Sequence, residues 1–129
     1  MVKRFHLDTD FLIHALARRG TQWRRLRALN DDDAELEISA IAWYEFARGP
    51  RSPEQLAVAR TLFGEEGIIP FSEAHAERAA DAFRLLGSPR KRAADVAIAA
   101  AAMERGAILL TANTRDYSDI KGLTIEARS

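Results

Sequence analysis

The chain has 129 residues, enough for one domain with a sizeable core, and its 47% hydrophobic and 29% charged content excludes a disordered or fibrous protein. It has no cysteine, which excludes a disulfide framework and a thiolate metal site, so any metal must be held by oxygen or by the three histidines. Acidic and basic residues balance, no apolar run is long enough for a bilayer, and residues 1–5 lack the apolar stretch of a signal peptide; the expectation is a single domain over residues 1–129, without a membrane span, in the cytoplasm.

Arg4-Phe5-His6-Leu7-Asp8 reads as a first strand with Asp8 at its carboxyl end, and Thr9 as the N-cap of a helix carrying Phe11, Leu12, Ile13 and Leu16. Gly20-Thr21 breaks the chain, and a second helix through Trp23, Leu26 and Leu29 is expected to stop at Asn30, leaving residues 31–33 as a solvated loop. Leu36-Glu37-Ile38 is the second strand. Ser39 caps a third helix from Ala40 to about Arg48, apolar apart from its single acid, Glu45, and ended by Gly49-Pro50. Pro53 opens a fourth helix through Phe63, and Gly67-Ile68-Ile69-Pro70-Phe71 reads as a third strand whose proline indicates an edge. Ser72 starts the next helix, which Gly87-Ser88-Pro89 closes.

The stretch from Arg92 to Asp116 is the most constrained. Ala93 to Met103 is apolar on almost every side, so a helix there is buried, with Asp95 in its first turn. After Gly106, Ala107-Ile108-Leu109-Leu110-Thr111 is a short continuous apolar run, the mark of a strand covered on both faces, and Asn113 and Asp116 follow its carboxyl end. Leu123-Thr124-Ile125 is the last strand. Helix and strand joined by one glycine form half of a βαβ unit, which puts polar residues where open α/β sheets keep their sites.

Basic residues cluster in two places, Arg18, Arg19, Arg24, Arg25 and Arg27 near the N-terminus, and Arg84, Arg90, Lys91 and Arg92 before the buried helix. Such clusters are solvated helix faces unless a phosphodiester site lies between them. Four acids stand out by position: Asp8, Glu45, Asp95 and Asp116. Singly, each has an ordinary role as helix cap, dipole partner, turn or surface residue. Together they repel at one sheet edge unless a cation joins them.

Leu7-Asp8-Thr9 with its helix, Ser39 through Glu45 to Gly49, Asp95 through Ala100, and Thr111 through Tyr117 resemble the four signature segments of PIN-domain proteins, in order and over essentially the whole chain. Among these the chain looks most like the VapC-type ribonuclease toxins of toxin–antitoxin pairs. The resemblance implies a three-layer α/β/α sandwich with a parallel five-stranded sheet in the order 3-2-1-4-5. It also implies Mg²⁺- or Mn²⁺-dependent RNA cleavage by an acidic quartet matching Asp8, Glu45, Asp95 and Asp116, with Thr9, Thr111 and Asn113 in supporting positions. A homodimer that binds an antitoxin is implied as well, and the aromatic Phe11, Trp23 and Tyr44 are its candidate anchors; Arg18, Arg90, Lys91 and Arg92, just outside the segments that bring the acids together, are candidate RNA contacts. Asp10 stands where asparagine is common in the family, adding a fifth acid, and Tyr117 stands where phenylalanine is common.

Phosphodiester hydrolysis needs an activated water and neutralised charge, which oxygen-bound divalent ions supply. No histidine is spaced to act as a base beside the acids, so His6, His14 and His75 are read as structural. Other readings are a phosphoacceptor receiver domain, which lacks here an aspartate ending the third strand, a non-catalytic PIN scaffold binding RNA or protein, and a PIN nuclease of RNA processing or DNA repair with no antitoxin.

Overall fold

The structure, a computed structural model, describes residues 2–18 and 20–127; Arg19 of the first basic cluster lies outside them. Five parallel strands, β1 (Arg4–Leu7), β2 (Glu35–Ser39), β3 (Ile68–Ile69), β4 (Ile108–Thr111) and β5 (Ile125–Ala127), form one sheet in the order β3-β2-β1-β4-β5. Helices α1 (Thr9–Leu16), α2 (Gln22–Asp31), α3 (Ala40–Ala47), α4 (Pro53–Phe63), α5 (Glu73–Leu85) and α6 (Ala93–Glu104) flank it, giving the expected α/β/α sandwich. The chain lays strands outward on one side of β1 and then on the other, so the order reverses between β1 and β4. A crevice opens at the carboxyl ends of strands at such a switch point.

The interior explains why the central strands read as unbroken apolar runs. Leu7, Ile38, Leu109 and Leu110 are fully buried, and Phe11, Leu12, Phe46, Val96 and Ile98 pack on them from the helices. Each such side chain contributes about 1.5–3 kcal/mol relative to exposure. In α6 the run Ala99 to Ala102 is wholly inaccessible, and its small side chains let α6 lie close between the sheet and its neighbours. Gly106, at φ 64°, turns the chain from α6 into β4, a conformation that side chains resist. Gly67 allows β3 to begin against α4, since a Cβ there would stand 2.0 Å from the Phe63 carbonyl oxygen.

Several boundaries differ from the sequence expectation for identifiable reasons. Asp8, not Thr9, is the N-cap of α1: its extended backbone and its carboxylate, which accepts from the Phe11 N–H at 2.7 Å, make Thr9 the first helical residue. Helix α2 runs on into the aspartates as far as Asp31. β5 starts at Ile125, although the Thr124 carbonyl already accepts from the Leu109 N–H at 2.8 Å. β3 is confined to two residues at the sheet edge, where Pro70 can donate nothing to a ladder. The Ser39 and Ser72 caps and the start of α4 at Pro53 are as expected, the last strengthened by a reciprocal Ser52–Gln55 capping box.

Within the sheet His6 and Glu37, register partners on β1 and β2, meet at 2.6 Å with both side chains buried. Arg105 adds a bond to Glu37 at 3.0 Å and Arg4 approaches at 3.4 Å. Burial alone would raise the Glu37 carboxyl, but the donors from His6 and Arg105 outweigh it and hold the group below its ordinary value. His75 is buried in α5, and burial lowers its pKa. Phe11, expected at an interface, is fully buried in the core and cannot anchor a partner, whereas Trp23 is half-buried and Tyr44 is 62% exposed.

Candidate active site

The carboxyl ends of β1 and β4 meet at Asp8. One of its oxygens accepts from the Phe11 N–H at 2.7 Å and the other from the Thr111 hydroxyl at 2.6 Å, so the carboxylate is fixed by a cap on one side and by the neighbouring strand on the other. Burial pushes its pKa up to about 6, against the pull of those two bonds. Glu45, on α3, is held by the Thr9 hydroxyl at 2.9 Å. Asp95 enters from the first turn of α6, with the Tyr117 hydroxyl 3.5 Å away, and Asp116 ends a 3-10 turn, Thr114–Asp116, that follows β4.

All four acids line one cleft of about 240 Å³. Asp10, Thr9, Arg48 and Tyr117 complete its wall. Burial, then the nearby Asp116 and Glu45 charges, raises the Asp95 pKa. Burial, then the surrounding carboxylates, push the Tyr117 hydroxyl above its ordinary range. Larger hollows exist, one of about 380 Å³ that is mostly apolar and lined by Ile13, Leu16, Trp23, Phe46 and Val58, and one of about 450 Å³ bordered by Arg4, Glu37 and Arg105. Volume does not single out the acidic cleft; the convergence of carboxylates from four separate segments does.

Thr9 donates to Glu45 and Thr111 to Asp8. Asn113 is turned to its own loop, where its side chain accepts from the Arg115 N–H at 3.0 Å. None of the four expected RNA contacts lines the cleft. Arg18 lies over the Trp23 ring, 4.6 Å from its centroid, at the apolar hollow. Arg92 grips Asp119 at 2.6 and 2.8 Å and the Asp116 carbonyl at 3.0 Å, bracing the turn that carries Asp116. Arg90 and Lys91 are exposed. The cation in the cleft is Arg48, which the sequence reading did not select; its position three residues after Glu45 on one helix was the available signal.

The donor set suits a hard cation: carboxylates, hydroxyls and no sulfur. Among the described residues no three acids or histidines are drawn close enough to hold one ion between them. Mg²⁺ does not demand that, since it keeps several waters and is bound through one or two carboxylates. Asp8 and Asp95, both raised in pKa by burial and like charge, are the groups such an ion would relieve most.

The PIN domain model matches residues 6–123. The chain belongs to the PIN domain family. No curated protein matches this PIN domain in sequence. Among solved structures, VapBC2 from Rickettsia felis bound to a promoter DNA fragment aligns with a TM-score of 0.78 at 20% identity, over 96% of this chain and 98% of the other. DNA-bound VapBC from Salmonella typhimurium aligns with a TM-score of 0.77 at 24% identity, over 98% of each chain. A toxin–antitoxin complex from Klebsiella pneumoniae aligns with a TM-score of 0.67 at 26% identity, over 92% of this chain and 94% of the other. No helix among the described residues of this PIN domain is long and apolar enough to cross a membrane.

Proposed function

We propose that this PIN-domain protein is a divalent-metal-dependent endoribonuclease, the VapC-type toxin of a toxin–antitoxin pair. The observation that carries the reading is the meeting of Asp8, Glu45, Asp95 and Asp116 in one cleft at the switch point of the sheet. Unpaired acids gathered there are unfavourable for the fold alone and useful for holding Mg²⁺ or Mn²⁺.

Asp8, Glu45, Asp95 and Asp116 would hold the ion. When bound, such an ion neutralises charge at the scissile phosphate and activates a water for attack. Thr111 and Thr9 keep Asp8 and Glu45 oriented, and Tyr117 offers a hydroxyl donor beside Asp95. Arg48 gives the cleft a positive rim toward the RNA backbone.

The toxin assignment is supported by the likeness to VapBC and other toxin–antitoxin complexes. An antitoxin tail would find a fitting surface in the apolar hollow lined by Trp23 and Phe46, against which Arg18 and Arg51 lie. A homodimer working in the cytoplasm belongs to the same proposal. The test is incubation of purified protein with an RNA that has paired and unpaired segments. Cleavage in Mg²⁺ or Mn²⁺ that stops with EDTA, and that the product of the neighbouring small gene suppresses, supports the proposal. Absence of cleavage with either ion sinks it, and cleavage indifferent to every neighbouring product favours a PIN nuclease of RNA processing.

A further inference from the structure

Arg48 lines a cleft containing five acids, yet among the described residues it enters no ion pair. Its guanidinium lies instead over the ring of Tyr44, 5.3 Å from the centroid, and that ring is 62% exposed. Tyr44 is on α3 and Arg48, four residues on, is its C-cap with helical backbone angles, so the two side chains lie on one face, while Glu45 lines the cleft. A planar cation that lines the acidic site therefore stands against an exposed aromatic face. The stack leaves the guanidinium donors unspent on the neighbouring carboxylates.

We propose that Tyr44 and Arg48 form a platform for single-stranded RNA, on which one unpaired base stacks against Tyr44 while Arg48 holds the phosphate adjacent to the one presented to the acids. This rests on the ribonuclease reading and names the substrate form it takes. RNA approaching five carboxylates is repelled, and a cation on the same wall offsets that repulsion where the backbone must enter. A base inside a duplex has both faces covered by its neighbours, so only an unpaired base can lie on an aromatic side chain. The pair is continuous with the cleft, which favours a substrate contact over a docking face for protein, because the charged rim would have to be desolvated against a second chain.

The test is fluorescence anisotropy with a labelled single-stranded oligouridylate about ten nucleotides long and with a duplex RNA of the same length. Titrations are made in Mg²⁺ on an Asp95→Asn background, so that the RNA is not consumed. Tyr44→Ala and Arg48→Ala should each weaken single-strand binding about tenfold and duplex binding far less. Tyr44→Phe, which keeps the ring, should recover most of what Tyr44→Ala loses, and Arg48→Lys should recover only part, since it keeps charge without the planar stack. In the cleaving parent the alanine changes should raise KM and leave kcat within about twofold.

Unchanged affinity in Tyr44→Ala, or equal losses on duplex and single strand, overturns the platform. So does light scattering in which Tyr44→Ala turns a dimer into a monomer, since the ring then belongs to a contact with a second copy. A parent that cuts RNA but is indifferent to both alanine changes removes the platform and leaves the nuclease. A parent that cuts nothing, yet binds single strands only with Tyr44 and Arg48 intact, removes the nuclease and leaves the platform.

Discussion

The Thr111 hydroxyl donates to Asp8 Oδ2 at 2.6 Å, joining the carboxyl ends of β4 and β1 through a side chain with no accessible surface. The same oxygen of Thr111 accepts from the Asn113 N–H at 3.0 Å, so it also shapes the start of the loop that leads to Asp116. Thr111→Val keeps the volume and deletes both bonds. It should cost about 1–2 kcal/mol in chemical denaturation, because Asp8 and the Asn113 N–H each lose a buried partner. Cleavage should fall about 10–100-fold as Asp8 loses its orientation, with Thr111→Ser restoring most of it.

Asp8 makes stability depend on pH in the direction opposite to a salt-bridged acid. Its folded pKa of about 6 lies above its ordinary 3.8, so its favourable contribution is complete below the ordinary value and is lost as pH rises through the folded one. The resulting penalty at neutral pH is on the order of 3 kcal/mol without metal. Asp8→Asn keeps a good N-cap for α1 and removes the charge. In EDTA it should melt higher than the parent at pH 7.5 and equal to it near pH 4, while added Mg²⁺ should stabilise the parent more than the variant. Melting curves at the two pH values with and without Mg²⁺ check this, and a lower melting point for the variant in EDTA at pH 7.5 contradicts it.

Glu37, buried in the middle of β2, behaves in the reverse sense. Its folded pKa is lowered by His6 and Arg105 despite burial, so its contribution is present above the unfolded value and is lost as pH falls through the folded one. Glu37→Ala leaves His6 enclosed and Arg105 without its partner, and should cost about 3 kcal/mol in urea denaturation. Since the network lies away from the cleft, the rate per folded molecule should not change. A rate per folded molecule that falls would show that the His6–Glu37–Arg105 network and the cleft are coupled.

The basic residues before α6 divide by what they touch. Arg92→Ala frees the Asp116 turn and should lower kcat more than it changes the salt dependence of binding. Replacing the exposed Arg90 and Lys91 by alanine should flatten the dependence of log affinity on log salt by about 0.7 per lost phosphate contact on single strands. Equal slopes for the parent and the double variant would make these residues a solvated face.

The strands were legible because a parallel sheet buried on both faces needs apolar runs such as Leu109-Leu110, whereas their order came from the likeness of four segments to PIN-domain signatures, since apolar runs do not say which strands are neighbours. The limits of elements were less legible. Asp8 and Thr9 are both good N-caps, and only the Phe11 and Thr111 bonds decide between them. The placing of the arginines was not legible, because a cluster in sequence carries no direction: Arg92 turns to Asp119, Arg18 to Trp23, and Arg48, at the C-cap of an apolar helix, to Tyr44 at the wall of the acidic cleft. Phe11 and Tyr44 are alike by composition, yet α1 buries one and α3 exposes the other.

The most direct test of the central claim is the rate of RNA cleavage by the parent and by Asp95→Asn, purified in parallel and matched for folded content by circular dichroism. The account predicts cleavage by the parent in Mg²⁺ or Mn²⁺, none in EDTA, and a rate at least about 100-fold lower for the variant. An Asp95→Asn protein that cuts as fast as the parent in the same buffer would contradict it.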